Sequence, residues 1–396
     1  MRIVMFYHSL VSDWNHGNAH FLRGVVSELR SRNHEVHVYE PKDAWSLENL
    51  LTEHGEEPIK RFYAAYPGLE STRYDLKTLD LDEVLDDADL VIVHEWNAHE
   101  LVQRVGKHRA SVGGYRLLFH DTHHRSVSDR SSMAAYDLSN YDGVLAYGSV
   151  IRDIYLSEGW TPRAWTWHEA ADTRVFHPID ATYYQEENLT PQQSSLAGKG
   201  EQFSPLLVGE GLGERSKSLG DLVWIGNWGD DERTAELYEF LIEPVKELGL
   251  KARVHGVRYP EDAIASLASG GIEYAGWLPN YQAPQVFSLF KLTVHVPRRP
   301  YVQALPGIPT IRVFEALACG IPLISAPWDD VENLFTPGKD YLIARTGEEM
   351  KRQLSDLLQD EEKRKELASH GHKTILARHT CAHRVDELLK IYAKLH

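Results

Sequence analysis

Apolar and polar positions follow one another in a rhythm that recurs along the chain. Ile3–Tyr7 is a short apolar run that reads as a buried strand, and His8–Asn18 is polar and carries Gly17. Phe21–Leu29 has helical periodicity that Asn33-His34 ends, and Glu35–Tyr39 resumes strand character. A βαβ unit of this kind implies a parallel sheet. Leu90–Val93, Leu117–Phe119 and Gly143–Ala146 continue it, running into His94-Glu95, His120-Asp121 and Tyr147-Gly148-Ser149. That C-terminal edge is where open α/β sheets bind ligands.

From His177 to Asp221 the rhythm gives way to Pro, Gly, Gln and Ser, an interdomain segment with long loops. It restarts at Leu222–Ile225, followed by the turn Gly226-Asn227-Trp228-Gly229 and a helix over Glu232–Leu248. Lys251–His255, Ile272–Ala275, Leu292–Val296, Leu323–Ser325 and Tyr341–Ile343 fill a second parallel sheet, before a helix over Glu348–Gln359 and a terminal one from Cys381. The expected class is α/β, with two Rossmann-like domains whose parallel sheets face a central cleft. Residues 1–176 and 222–380 form the domains, 177–221 join them, and the helix 381–396 packs back on the first.

Composition agrees with this division. The 396 residues are two or three times a typical domain of ~100–200. A net charge of −16 argues against a chain that wraps nucleic acid or docks on an anionic membrane, since both need clustered cations, yet it leaves room for one local anion site. The only cysteines, Cys319 and Cys381, form no CxxC pair, so a disulfide framework and a cysteine zinc site are not expected, and a reducing cytoplasm is. The apolar start is shorter than a signal-peptide core and no run is long enough to span a membrane, so the sequon at Asn188 carries no weight.

The segment from Pro306 to Pro322 carries the most chemistry. Thr310 is a candidate N-cap; Ile311, Phe314, Leu317 and Ala318 form an apolar stripe; Gly320 and Pro322 stop the helix. Arg312 and Glu315 share the opposite face, either as an exposed ion pair or as ligands. In the second case the helix start meets phosphate oxygens and Glu315 accepts hydrogen bonds from a sugar diol. Arg298 follows the strand Leu292–Val296 near the same sheet edge, and a guanidinium suits phosphate geometry.

The string Arg312–Pro322, continued by Trp328, Glu332-Asn333-Leu334-Phe335 and Pro337-Gly338-Lys339-Asp340, resembles the C-terminal domain of bacterial glycosyltransferases of the spore-maturation-protein type, relatives of retaining glycosyltransferase family 4. The likeness extends through Val294–Arg298, Glu362–Arg364, Ala368–Gly371, His379-Thr380 and His383-Arg384. In the first half it is one of layout only. It implies a GT-B architecture in which the second domain holds a nucleoside diphosphate sugar of the UDP or GDP type and the first holds the acceptor.

By that resemblance Glu315 binds the donor ribose. Arg233, at the start of the helix after Gly226-Asn227-Trp228-Gly229, is well placed for the diphosphate in a region where relatives carry a basic residue, with a solvated surface arginine as the alternative for it and for Arg298. Gly276-Trp277-Leu278 is similar to the turn that receives the base, although an aromatic after a strand is as often core. Gly17, within Asn15–His20, occupies the place of the loop that closes over diphosphate and sugar, and His120 that of a His facing the transferred sugar. A neutral imidazole there can hydrogen-bond a hydroxyl and orient the substrate and need not be a base, which makes His120 a catalytic candidate beside Arg233 and Glu315. The family's second Glu, eight positions before Glu315, is Gly307 here, which leaves backbone N–H groups of Gly307 and Ile308 for sugar hydroxyls. Asn227 joins the donor side; His16, Asn18, His94, Glu95 and His123 join the acceptor side.

Other readings compete. His120, His123 and His124, with His94 and His99, invite a metal hydrolase, but the spacings match no zinc signature. Asp87-Ala88-Asp89 lies in a solvated acidic run, and Gly209–Gly213 lacks the strand a dinucleotide fingerprint needs. The leading expectation is a hexosyltransferase, cytoplasmic, retaining and free of metal or other cofactor. Its acceptor is open among saccharide, lipid-linked molecule, small molecule and protein, with no nucleic acid and no membrane span. A GT-B-shaped binding or assembly protein without turnover is the alternative that Gly307 sustains.

Overall fold

The computed structural model describes residues 1–179 and 218–395. The sequon at Asn188, Gly209–Gly213 and most of the joining segment lie outside the described residues. The first seven strands are β1 (Arg2–Phe6), β2 (Glu35–Pro41), β3 (Thr72–Tyr74), β4 (Leu90–His94), β5 (Arg116–Asp121), β6 (Gly143–Ala146) and β7 (Ala164–Thr166). They form one sheet in the order β3-β2-β1-β4-β5-β6-β7, and every recorded pairing is parallel. The others are β8 (Gly220–Ile225), β9 (Ala252–His255), β10 (Ile272–Tyr274), β11 (Phe290–His295), β12 (Leu323–Ser325) and β13 (Leu342–Ile343). They form a second parallel sheet in the order β10-β9-β8-β11-β12-β13. In both, the order reverses beside the first strand of the sheet, the switch point where doubly wound folds bind ligands.

The central strands are buried on both faces, as in Leu90–His94, which explains their continuous apolar runs. Helical structure after β8 departs from expectation. A 3₁₀ turn at Asp230–Glu232 and a short helix at Thr234–Leu237 lead into a π segment, Tyr238–Ile242, before Glu243–Leu248. Pro244 supplies no N–H to a helix ladder, which favours such a break.

Helix Cys381–Ala393 packs on Ala19–Ser31, and their apolar faces join one core cluster with Ile311, Phe314 and Leu317 of the helix Ile311–Ala318. Gly24 is needed at this crossing, because a Cβ there would lie 2.4 Å from Cys381 Sγ. Trp167 Nε1 donates to the Arg384 carbonyl at 2.8 Å, adding a polar tie.

Candidate functional site

Helix Ile311–Ala318 begins at Thr310, whose backbone is extended as an N-cap's should be. Its hydroxyl caps nothing. Ser325 Oγ donates to the Ala326 carbonyl at 2.7 Å and so accepts from His295 Nδ1–H at 2.9 Å. His295 Nε2 therefore carries no proton and accepts the Thr310 hydroxyl at 3.0 Å. The first-turn N–H groups are left without a side-chain cap, a ready anion site.

Glu315 departs from the exposed-pair expectation. It is completely buried, because the first domain covers the face opposite the apolar stripe. Arg312 donates to its Oε2, and His20 lies 3.0 Å from its Oε1. His20 Nε2 accepts the Asp172 backbone N–H at 2.8 Å, so the ring proton sits on Nδ1 and is donated to Glu315. Burial opposes ionisation of Glu315, yet Arg312 and His20 outweigh it and hold the carboxyl below its ordinary value. His20 stacks on Phe176, with ring centres 3.7 Å apart.

The loop with Gly17 lies over this helix start. A Cβ on Gly17 would meet Ile311 Cγ2 at 2.8 Å, so the approach requires glycine for space. Asp13 anchors the loop. Arg23, wholly buried, donates to Asp13 Oδ2 at 2.8 Å and to the carbonyls of Leu10 and Val11, and the Asn280 N–H reaches the same Asp13 oxygen at 3.0 Å. Asn227 donates to Asn15 Oδ1 and accepts the Val257 N–H, while Asn280 Nδ2 donates to the carbonyls of His16 and Gly17. These ties close the domains on a space of about 30 Å³ lined by Gly17, Asn227, Trp277, Leu278 and Arg312. Trp277 also faces His54 of the first domain, 4.8 Å between ring centres.

Arg233 gives its N–H groups to the carbonyls of Asn227, Trp228 and Val296, and its guanidinium lies 5.0 Å from the Trp224 ring centre. Burial and the neighbouring Arg298 pull it down to about 9, still protonated at neutral pH. Arg298 is paired with Glu232 at 2.9 Å.

Gly307 and Ile308 differ from expectation. The Gly307 N–H is donated to the Asp329 carbonyl at 2.6 Å and that of Ile308 to Leu305 at 3.4 Å, so both are engaged within the chain. The Ile308 side chain is buried against Gly148, where a Cβ would come within 2.4 Å of it. Gly307 has φ 87°, and a Cβ there would meet Glu332 Cγ at 2.9 Å. A carboxylate thus reaches this position from Glu332, which accepts the Ser149 N–H at 2.8 Å and pairs with His168 at 3.1 Å.

A second space of about 830 Å³ opens on the other side of Asn15–Gly17, which also line it; Asn18, His123 and Arg298 are further parts of its wall. His120, His94 and Glu95 do not line it. His120 is fully buried with neither ring nitrogen hydrogen-bonded, 4.8 Å from the Trp167 ring centre, and burial lowers it to about 3. His94 Nε2 lies 3.0 Å from Thr122 Oγ1, and Glu95 is ion-paired with Arg125 at 2.5 Å. All three stand at the strand ends the sequence indicates, but each is buried beneath neighbouring side chains, which the strand-end rule does not foresee. It missed His8, whose Nε2 lies 2.5 Å from His16 Nε2, and also Trp45, Trp96 and Tyr301, because those side chains come from loops and helices without a local signature. Among the described residues no three His, Cys, Asp or Glu side chains are grouped to hold a metal ion.

Residues 233–390 match the protein family described as Glycosyl transferase-like. No curated protein matches the chain. Among solved structures, sucrose-phosphate synthase from Thermosynechococcus elongatus is similar over 100% of this chain and 99% of its own, at 14% identity and a TM-score of 0.62. Anabaena HepE, solved with UDP and glucose, aligns over 99% of both chains at 13% identity and a TM-score of 0.64. An α-glucosyltransferase solved with UDP and a 13-mer DNA aligns over 99% of both chains at 12% identity and a TM-score of 0.66. Likeness at such identities speaks to architecture. The two facing parallel sheets form the GT-B fold, with a glycosyltransferase-like stretch from residue 233 to residue 390.

Proposed function

We propose that this chain is a hexosyltransferase that uses a nucleoside diphosphate sugar, retains anomeric configuration, needs no metal and works in the cytoplasm. The closer kinship with the spore-maturation type belongs to the same proposal. The observation that carries it is the uncapped start of helix Ile311–Ala318, lying under the Gly17 loop between the domains. An anion fits such a start, and Arg312 and Arg233 bring positive charge close to it. The solved neighbours that hold UDP make a UDP-sugar the first donor to test.

In this reading the helix N–H groups, Arg312 and Arg233 stabilise the diphosphate as the bond from its oxygen to the anomeric carbon breaks. The acceptor oxygen forms its bond on the face the diphosphate leaves, and its proton passes to a leaving phosphate oxygen, so no protein nucleophile is needed. Glu315 holds the ribose diol by exchanging its bond to His20. Because the space between the domains is only about 30 Å³, a nucleotide enters when the domains part and water is excluded when they return.

A second reading, a binding or assembly protein without turnover, is favoured by the engaged N–H groups at Gly307 and Ile308. Incubation with UDP-glucose, UDP-galactose, GDP-mannose and ADP-glucose, without acceptor, tests both. Slow release of free sugar and nucleoside diphosphate from at least one is expected. Binding without release supports the second reading, and neither binding nor release contradicts both.

A further inference from the structure

We propose that the 830 Å³ space holds an uncharged saccharide, stacked on Trp45 and Trp96, as the acceptor. The inference rests on the glycosyltransferase reading and names the acceptor class for it. Its volume lies in the range of small-molecule sites, roughly 300–1,000 Å³.

Two indoles on this wall remain partly exposed, Trp45 by 45% and Trp96 by 36%. A guanidinium lies over one face of each, Arg258 5.9 Å from the Trp45 ring centre and Arg125 4.2 Å from that of Trp96, so that the opposite face is the one offered to a ligand. Large aromatics left in contact with water inside a concave site mark a surface kept for a flat apolar partner. Tyr301 and Tyr136 extend the aromatic wall. A pyranose offers such a face in its axial C–H groups, with hydroxyls around the rim that need hydrogen-bonding partners. These are present: Asp43 brings an exposed carboxylate to the wall, and Asn18 and His123 bring further polar side chains.

The charge pattern selects against anions. Each arginine on the wall is already paired with a carboxylate: Arg125 with Glu95 at 2.5 Å, Arg258 with Asp230 at 2.9 Å and Arg298 with Glu232 at 2.9 Å. Burial lowers His8, His16 and His123, so these rings add no positive charge at neutral pH. A phosphate-linked lipid or a nucleic acid would find no unneutralised arginine on this wall, whereas hydroxyls find acceptors and neutral imidazoles. The neighbour solved with DNA stands against the expectation of no nucleic acid, and a DNA duplex is therefore included in the test.

The test is calorimetric titration of the full chain with neutral di- to tetrasaccharides of glucose, galactose and mannose, against glucose 6-phosphate, a heparin tetrasaccharide and a 13-mer DNA duplex. Binding of at least one neutral oligosaccharide is expected, weakened at least fivefold by Trp96→Ala and by Trp45→Ala, and largely kept by Trp96→Phe, with melting curves confirming folded variants. Tighter binding of an anionic ligand, no binding of any neutral one, or tryptophan variants that bind like wild type would overturn the proposal. Donor hydrolysis is measured on the same preparation. Hydrolysis without saccharide binding defeats this inference alone; saccharide binding without any nucleotide-sugar binding defeats the transferase reading and leaves the saccharide site standing.

Discussion

His20 and Glu315, from different domains, share a hydrogen bond of 3.0 Å at a point where neither side chain meets solvent. The bond joins the first turn of helix Ala19–Ser31 to the middle of helix Ile311–Ala318. It ties the domains together through the carboxylate proposed to hold the donor ribose, so on that proposal the bond to His20 is exchanged for one to the ribose when the domains close over a donor. Glu315→Ala leaves Arg312 and His20 without their acceptor, and removing one partner of a buried charged set costs about 3–5 kcal/mol. Urea denaturation of the single and double variants at Glu315 and His20 should show that cost and a non-additive cycle. Additive effects would mean the two do not interact.

Gly17→Ala places a methyl group 2.8 Å from Ile311 Cγ2. The loop has to lift from the helix start, while Gly17 lies outside the left-handed region, so backbone strain is not involved. Donor hydrolysis should fall at least tenfold with little change in melting temperature. Equal loss of both would point to a folding defect instead.

Gly307→Glu introduces the residue that the resemblance to family 4 leads one to expect at this position and should not improve activity. At φ 87° a side chain is strained by about 1–3 kcal/mol, and Glu332 already occupies the space. A lower melting temperature and unchanged or reduced donor hydrolysis are expected. A gain in turnover would show that Glu332 is not the carboxylate serving this position.

Acid should unfold the protein early. Burial holds His16 down to about 4 and His120 and His295 down to about 3, against roughly 6.5 in the unfolded chain. Between these values the unfolded chain binds protons that the folded one refuses, so stability falls as the pH drops, by ~1.4 kcal/mol per pH unit for each ring. His8, His94 and His123 move in the same direction. Asp121, Glu169, Glu95 and Asp330, raised by burial, oppose the trend but are fewer. The melting temperature should drop steeply between about pH 6.5 and pH 4.5. A flat profile there would contradict the burial of these rings.

The central strands and the helix around Glu315 were legible in the sequence because continuous apolar runs and a helical stripe leave a local imprint. The edge strands Thr72–Tyr74 and Ala164–Thr166 were not, being three residues long with mixed polarity. The burial of Glu315 depends on a domain whose approach has no local signal, and so does its bond to His20. The same holds for Thr310, whose hydroxyl turns to His295, and for Trp45 and Trp96, which only tertiary structure brings to one wall. Strand ends give away an edge of the first sheet but not what covers it, and His120 at one of them is sealed beneath Trp167 and Phe21.

The most direct test is calorimetric titration of wild type and Glu315→Gln with the nucleoside diphosphate sugar that gives the fastest hydrolysis. A charged hydrogen bond to the ribose contributes ~1.5–3 kcal/mol, so the variant should bind roughly 10- to 100-fold more weakly while remaining folded. A variant that binds as tightly as wild type would contradict the placement of the donor at Glu315.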